Sequence, residues 1–128
     1  MLIERYMQAL NAFNARDLEG WLAIVDEDVE IESRFSTVHS RYRGHAAIRR
    51  WWDDLGEAWE SLEVEPDEVR QVAGDQTLAL IQLNAKGRGS GMIVREAAAH
   101  RVTWRNDLWT RLEYEDREVA EREIAALD

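Results

Sequence analysis

Five polar residues stand where the sequence pattern otherwise places apolar ones: Tyr6, Ser33, Glu96, His100 and Thr110. A polar group buried without a partner costs roughly 1–3 kcal/mol, so each needs a hydrogen bond, a water or a ligand. His100 carries the most chemistry. An imidazole can serve as general acid, general base or donor to a developing oxyanion. Ala98 and Val102, its neighbours on the same face, leave room beside the ring. The ordinary alternative is a core histidine satisfied by a backbone carbonyl or by Tyr6, whose hydroxyl also wants a partner. Glu96 lies four residues away on that face, about 13 Å along the strand, and so does not pair with His100. It either lines the mouth of a cavity or turns to solvent at a bulge. Ser33 and Thr110 have no activating base or nucleophile elbow in sequence, and both also suit small core positions bonded to their own backbone.

The elements that must position these residues can be read from periodicity. Ile3, Tyr6, Met7, Leu10 and Phe13 recur at helical spacing and predict a helix over 2–15. Asp17 caps a second, short helix with Leu18, Trp21, Leu22 and Val25 inward. From Asp28 to Phe35 the period changes to two, with Val29, Ile31, Ser33 and Phe35 on the inner face. Residues 36–43 read as a loop. Gly44 opens a third helix with a stripe of Ile48, Trp52, Leu55 and Trp59, and Trp51 at its margin. Pro66 breaks up a weaker strand region over 61–73. A meander follows from 76 to 115. Leu78 to Leu83 is a largely buried strand, and 92–105 carries Val94, Glu96, Ala98, His100, Val102 and Trp104 on one face. Asn106-Asp107 makes a two-residue hairpin turn. Leu108, Thr110, Leu112 and Tyr114 then face inward, opposite Trp109. Asp116 caps a last helix with Val119, Ala120, Ile124 and Leu127 on one side. Helices on one face of a curved antiparallel sheet make an α+β domain spanning 1–128.

Composition narrows the chemistry. In 128 residues, 16 Lys and Arg against 26 Asp and Glu leave a net charge of −10, a field that repels phosphate backbones and anionic lipid heads. No nucleic-acid or membrane partner is expected. The chain has no cysteine, which removes thiolate chemistry and Cys-based zinc sites. His39 and His45 are loosely spaced without an HExxH pattern and read as surface residues, so no metal site and no cofactor is expected. Gly87-Arg88-Gly89-Ser90-Gly91 precedes a strand where a phosphate cradle needs a helix N-terminus. Met1 to Arg5 runs into an amphipathic pattern instead of a basic-then-apolar leader, and a cytoplasmic location is the expectation. A 45% hydrophobic fraction with six Trp argues for a packed core that could enclose one cavity.

The order of elements, with particular segments, carries a resemblance. Glu4 to Ala12 with Asp17-Leu18-Glu19-Gly20, Asp28-Val29-Glu30-Ile31, Tyr42 to Arg49, Gly87 to Gly91, Val102 to Arg105 and Asp116-Arg117-Glu118 are similar to the nuclear-transport-factor-2-like superfamily. The chain resembles especially the SnoaL-like and ketosteroid-isomerase-like branch. The resemblance implies a cone-shaped curved sheet wrapped around the N-terminal helices, the cystatin-like or NTF2-like barrel. It places Tyr6 at the helix-one oxyanion donor of ketosteroid isomerases, His100 at their second donor and Ser33 at their carboxylate base. The proton-moving carboxylate is therefore absent, and the steroid isomerase reaction is not expected.

Two readings stand side by side. In the first, His100 and Tyr6 are catalytic, with Ser33, Phe35, Trp52, Trp104, Glu96 and Thr110 around a small apolar carbonyl or polyketide-like compound. The chemistry would be isomerase-, cyclase- or hydrolase-like acid–base catalysis without metal or cofactor. In the second, the same fold binds a ligand without chemistry or serves as a dimeric association module. A homodimer through the sheet is expected either way, with the outward Trp109 as its anchor.

Overall fold

The computed structural model describes residues 1–33 and 41–127. Helix α1 (Leu2–Asn14) and the short α2 (Leu18–Leu22) lead into strand β1 (Val25–Glu32). Strand β2 (Arg41–Arg43) precedes α3 (Gly44–Ala58), then β3 (Trp59–Ala73), β4 (Gln76–Gly87), β5 (Ile93–Arg105), β6 (Leu108–Glu115) and α4 (Arg117–Ala125). The six strands form one unclosed sheet in the order β2-β1-β6-β5-β4-β3. Every pairing is antiparallel except β1 with β6, which is parallel. The sheet is therefore mixed, where pattern alone suggested a purely antiparallel one.

Local signals explain most boundaries. The Asp17 carboxylate accepts from Gly20 N–H, and Asp116 accepts from Val119 N–H, so both expected caps hold their helices. Asn106 and Asp107 have φ of 54° and 60°, the left-handed pair that a type I′ hairpin requires. At the end of α1, the Asn14 amide donates to the Val64 carbonyl and accepts from Val64 N–H, at 2.9 and 3.0 Å. One side chain thus docks the helix on β3.

Helices α1 to α3 fill the concave face of the sheet, and α4 lies on the other face. Tyr6, Leu10, Phe13, Trp21, Trp51 and Trp109 belong to the inner core. Ala120 and Ile124 of α4 pack on Leu78, Leu80 and Ala99 in a smaller outer cluster. Strand β4 is buried on both faces, which accounts for its nearly unbroken apolar run.

Several expectations are corrected. On α3 the buried stripe is Ile48, Trp51 and Leu55, with Trp52 only half-buried. Ile3, Val119 and Leu127 are exposed. Strand β1 begins at Val25, and residues 41–43 form a strand where a loop was expected; Phe35 and His39 lie outside the described residues. Strand β3 runs through Pro66 because it is an edge strand, with Asp67 as an extra residue opposite Ile81 and Leu80. Pro66 has no N–H for its partner Ile81, and the Ile81 carbonyl instead accepts from Arg117 Nη1 at 3.0 Å.

The largest correction concerns β6. Trp104 pairs with Trp109 and Thr103 with Arg111, so Thr110 is an extra residue in the ladder. Its Oγ1 donates to the Thr103 carbonyl at 2.9 Å. This bulge changes the phase of the strand and turns Trp109 inward, where it is 2% exposed. It cannot anchor a dimer.

Candidate functional site

His100 faces the concave side from the middle of β5, opposite Tyr114 of β6 and Ala79 of β4. It is 3% exposed. Its Nδ1 lies 3.1 Å from the Tyr6 hydroxyl, which α1 presents from the other side of the core. Burial pushes the Tyr6 phenol well above its usual value, and the nearby Tyr114 adds to this. Tyr6 therefore keeps its proton across the physiological range. The contact admits two arrangements: Tyr6 O–H donates to Nδ1 and Nε2 carries the ring proton, or Nδ1–H donates to the Tyr6 oxygen and Nε2 presents a lone pair. In both, the phenol holds the ring's orientation. Tyr114 packs edge-on against the imidazole, with centroids 4.7 Å apart.

The Tyr6 ring also stacks on Trp109, at 5.9 Å and 16°. Trp109 meets Trp21 at 81° and Trp104 at 62°, so three aromatic neighbours hold its plane. Each such pair contributes about 0.5–1.5 kcal/mol beyond its buried area. Against this cluster sits a cavity of about 30 Å³, whose lining includes His100, Tyr114, Trp109, Trp51, Phe13 and Leu112. No carboxylate or cationic side chain lines it among the described residues. Its volume suits one or two water-sized groups. Much larger hollows lie on the surface. One, of about 690 Å³, runs across the outer face of β3, β4 and β5 between Glu63, Asn84, Lys86 and Arg95. Those side chains are the ordinary solvated face of a sheet, whereas the inner cavity is where buried polar groups meet.

The structure brings together some of the expected site residues and separates others. Tyr6 and His100 are joined, but Tyr6 is fully buried behind the imidazole and does not line the cavity. Ser33 is buried, and its Oγ accepts from Trp51 Nε1 at 2.9 Å. Trp104 lies behind Trp109 and donates its Nε1–H to Thr77 Oγ1 at 3.0 Å. Trp52 packs on Trp21 and lines a surface hollow with Trp59 and Arg88, away from His100. Glu96 is half-buried opposite Leu83, and the cavity is built without it. Thr110 is the bulge residue described above, and Phe35 lies outside the described residues. His45 Nε2 is 3.0 Å from the Val25 carbonyl.

Sequence reasoning missed Trp51, Trp109, Leu112 and Tyr114 as cavity residues. Trp51 could have been found, since Ile48, Trp51 and Leu55 fit helical spacing as well as the chosen stripe. Trp109 could not, because no glycine or other signal marks the Thr110 bulge.

A family model described as a SnoaL-like domain matches residues 3–112. No curated protein matches the chain in sequence. Among solved structures, TerC co-crystallised with polyporic acid is similar over 98% of each chain, with a TM-score of 0.77 and 23% identity. The Mycobacterium tuberculosis protein RV0760c, in complex with estradiol-17beta-hemisuccinate, has a TM-score of 0.75 and 22% identity over 88% of this chain and 90% of its own. The Delta 5-3-ketosteroid isomerase from Mycobacterium sp. has a TM-score of 0.75 and 17% identity over 93% and 95%. At these identities the likeness is one of fold.

Proposed function

The chain belongs to the SnoaL-like domain family, and on that premise we propose that its inner cavity takes up a small, largely apolar, oxygen-bearing molecule on which His100 moves a proton. The bond to Tyr6 is what a structural core histidine also makes; the observation that carries this reading is that the imidazole lines an otherwise apolar cavity. An imidazole both gives and accepts a proton under mild conditions, which a serine or an unassisted phenol does not. Tyr6 positions the ring by accepting from Nδ1–H, which leaves the Nε2 lone pair on the far edge to take a proton from one atom of the bound molecule and return it to another. The aromatic walls supply ring contacts. Similar folds in complex with polyporic acid and with a steroid ester support the ligand class.

The carboxylate chemistry of ketosteroid isomerases is not part of this reading. No carboxylate lines the described cavity, and Ser33, which stands at their base position by resemblance, accepts from an indole. A ligand with a ring exceeds the 30 Å³ cavity, so its uptake requires the lining side chains to move.

The test is a tryptophan-fluorescence titration with steroids, aromatic polyketides and terpenoid epoxides, followed by a turnover assay on whichever class binds. Saturable quenching is expected, with turnover in His100→Ala lower by about 10²–10⁴. Unchanged turnover in that variant removes His100 from the chemistry. A ligand recovered unaltered from the saturated native protein assigns the cavity to binding alone.

A further inference from the structure

The buried indoles of the inner core are not treated alike. Trp51 donates its N–H to Ser33 Oγ at 2.9 Å, and Trp104 donates to Thr77 Oγ1 at 3.0 Å. Each has a hydroxyl placed for it. Trp109 is 2% exposed, and its buried Nε1 has no hydrogen-bond partner among the described residues. A donor left in this state loses its bonds to water on folding and gains nothing in return. A phenylalanine would fill most of the same space without that loss.

Trp109 also lines the cavity that His100 faces. Its plane is fixed by Tyr6, Trp21 and Trp104, so its N–H direction is set before anything binds. The same Tyr6 ring that stacks on Trp109 carries the hydroxyl beside His100 Nδ1, which couples the two groups through one side chain.

We propose that Trp109 is the specificity residue of this cavity, its indole N–H donating a hydrogen bond to a neutral carbonyl oxygen of the bound molecule. This rests on the small-molecule reading of the cavity given above. An indole N–H carries no charge, and no Lys or Arg is among the described lining residues, so among them only His100 is able to offset the burial of a carboxylate. A chain of net charge −10 disfavours anions further. The ligand class is thus neutral ketones, quinones or lactones in preference to acids. The competing account is internal. The faces of Trp21 or Trp104 could receive the N–H as a weak ring contact, leaving no role for a ligand oxygen.

Two probes with the same ring skeleton separate these accounts: 1-indanone, which has a carbonyl, and indane, which does not. Binding is read by calorimetry and by the ¹H–¹⁵N indole spectrum of the intact protein. The native chain is expected to bind 1-indanone about three- to tenfold more tightly than indane, the ratio that one net hydrogen bond gives. The Trp109 indole resonance should move downfield with 1-indanone and not with indane, while those of Trp51 and Trp104 stay in place. In Trp109→Phe the preference should collapse to about onefold, with indane binding retained. Should that variant fail to fold, the native spectrum alone decides. Equal affinity for the two probes, or a preference without movement of the Trp109 resonance, overturns the role of Trp109 and leaves the pocket reading intact. If neither probe binds, the pocket reading falls and this one with it.

Discussion

His100 and Arg101 are neighbours on β5 and point to opposite faces of the same sheet, yet their surroundings are built on different principles. Arg101 donates to Glu115 through Nε and Nη2, to Glu123 at 2.6 Å and to Gln76 at 3.0 Å. These partners sit on β6, α4 and β4, and the bond to Glu115 is the main reason its guanidinium is held above its already high value. Arg117 likewise reaches Asp67, Glu121 and the Ile81 carbonyl. On the outer face, polar groups saturate one another, and the result is a clasp that holds α4 to the sheet. On the inner face a phenol holds one imidazole, and an indole N–H has no acceptor among the described residues. A saturated network specifies structure; an unsaturated, preorganised one specifies a ligand.

Three substitutions sharpen this contrast. Trp109→Ala should have the largest effect, about 3–5 kcal/mol in chemical denaturation, because it empties the centre of the aromatic cluster. A loss below about 1 kcal/mol would mean that the inner cluster is not a stabilising centre. Arg101→Ala should cost about 1–3 kcal/mol, the lower part of the range for a broken ion pair, since Glu115 and Glu123 keep 24% and 39% side-chain exposure. It should speed amide exchange in α4 while the near-ultraviolet signal of the inner aromatics stays unchanged. If both change together, the two faces are one cooperative unit. Tyr6→Phe should cost only about 0.5–1.5 kcal/mol at neutral pH. Its signature lies at alkaline pH. Because the folded phenol titrates above its unfolded value, its contribution is complete below pH about 10 and drains as pH rises towards the folded value. Urea midpoints at pH 9 and 11 should therefore fall less in Tyr6→Phe than in the native chain. Parallel declines would assign the alkaline loss to other groups.

The residues that announced themselves in sequence did so through local rules. Asp17 and Asp116 precede helices, Asn106-Asp107 joins two alternating runs, and His100 shares a face with Ala98, Val102 and Trp104. What stayed hidden depends on non-local facts. The parallel pairing of β1 with β6 joins segments about 80 residues apart and leaves no mark on either. The Thr110 bulge is one such fact, since it shifts the phase of the first residues of β6 without a glycine to signal it, and Trp109 was assigned to the wrong side while Leu112 and Tyr114 were not. Pro66 marked a true irregularity, but an edge position and Arg117 on a distant helix let the strand continue. That Tyr6 and His100 are polar residues on the inner side was legible in the sequence. That Tyr6 stands behind the imidazole and not beside it in the cavity required the packing of α1.

An open sheet has free margins, and β3 is a long one, fifteen residues of extended backbone with no strand beyond it. Such a margin is a template on which a second chain could grow by strand addition. Here Asn14 occupies the rung at Val64, Pro66 removes a donor, and Glu60, Glu63, Glu65, Asp67 and Glu68 crowd the strand with like charge. The side-chain amide that anchors α1 thus also occupies one rung of that margin, and Asn14→Ala is expected both to loosen the helix and to raise aggregation as read by light scattering.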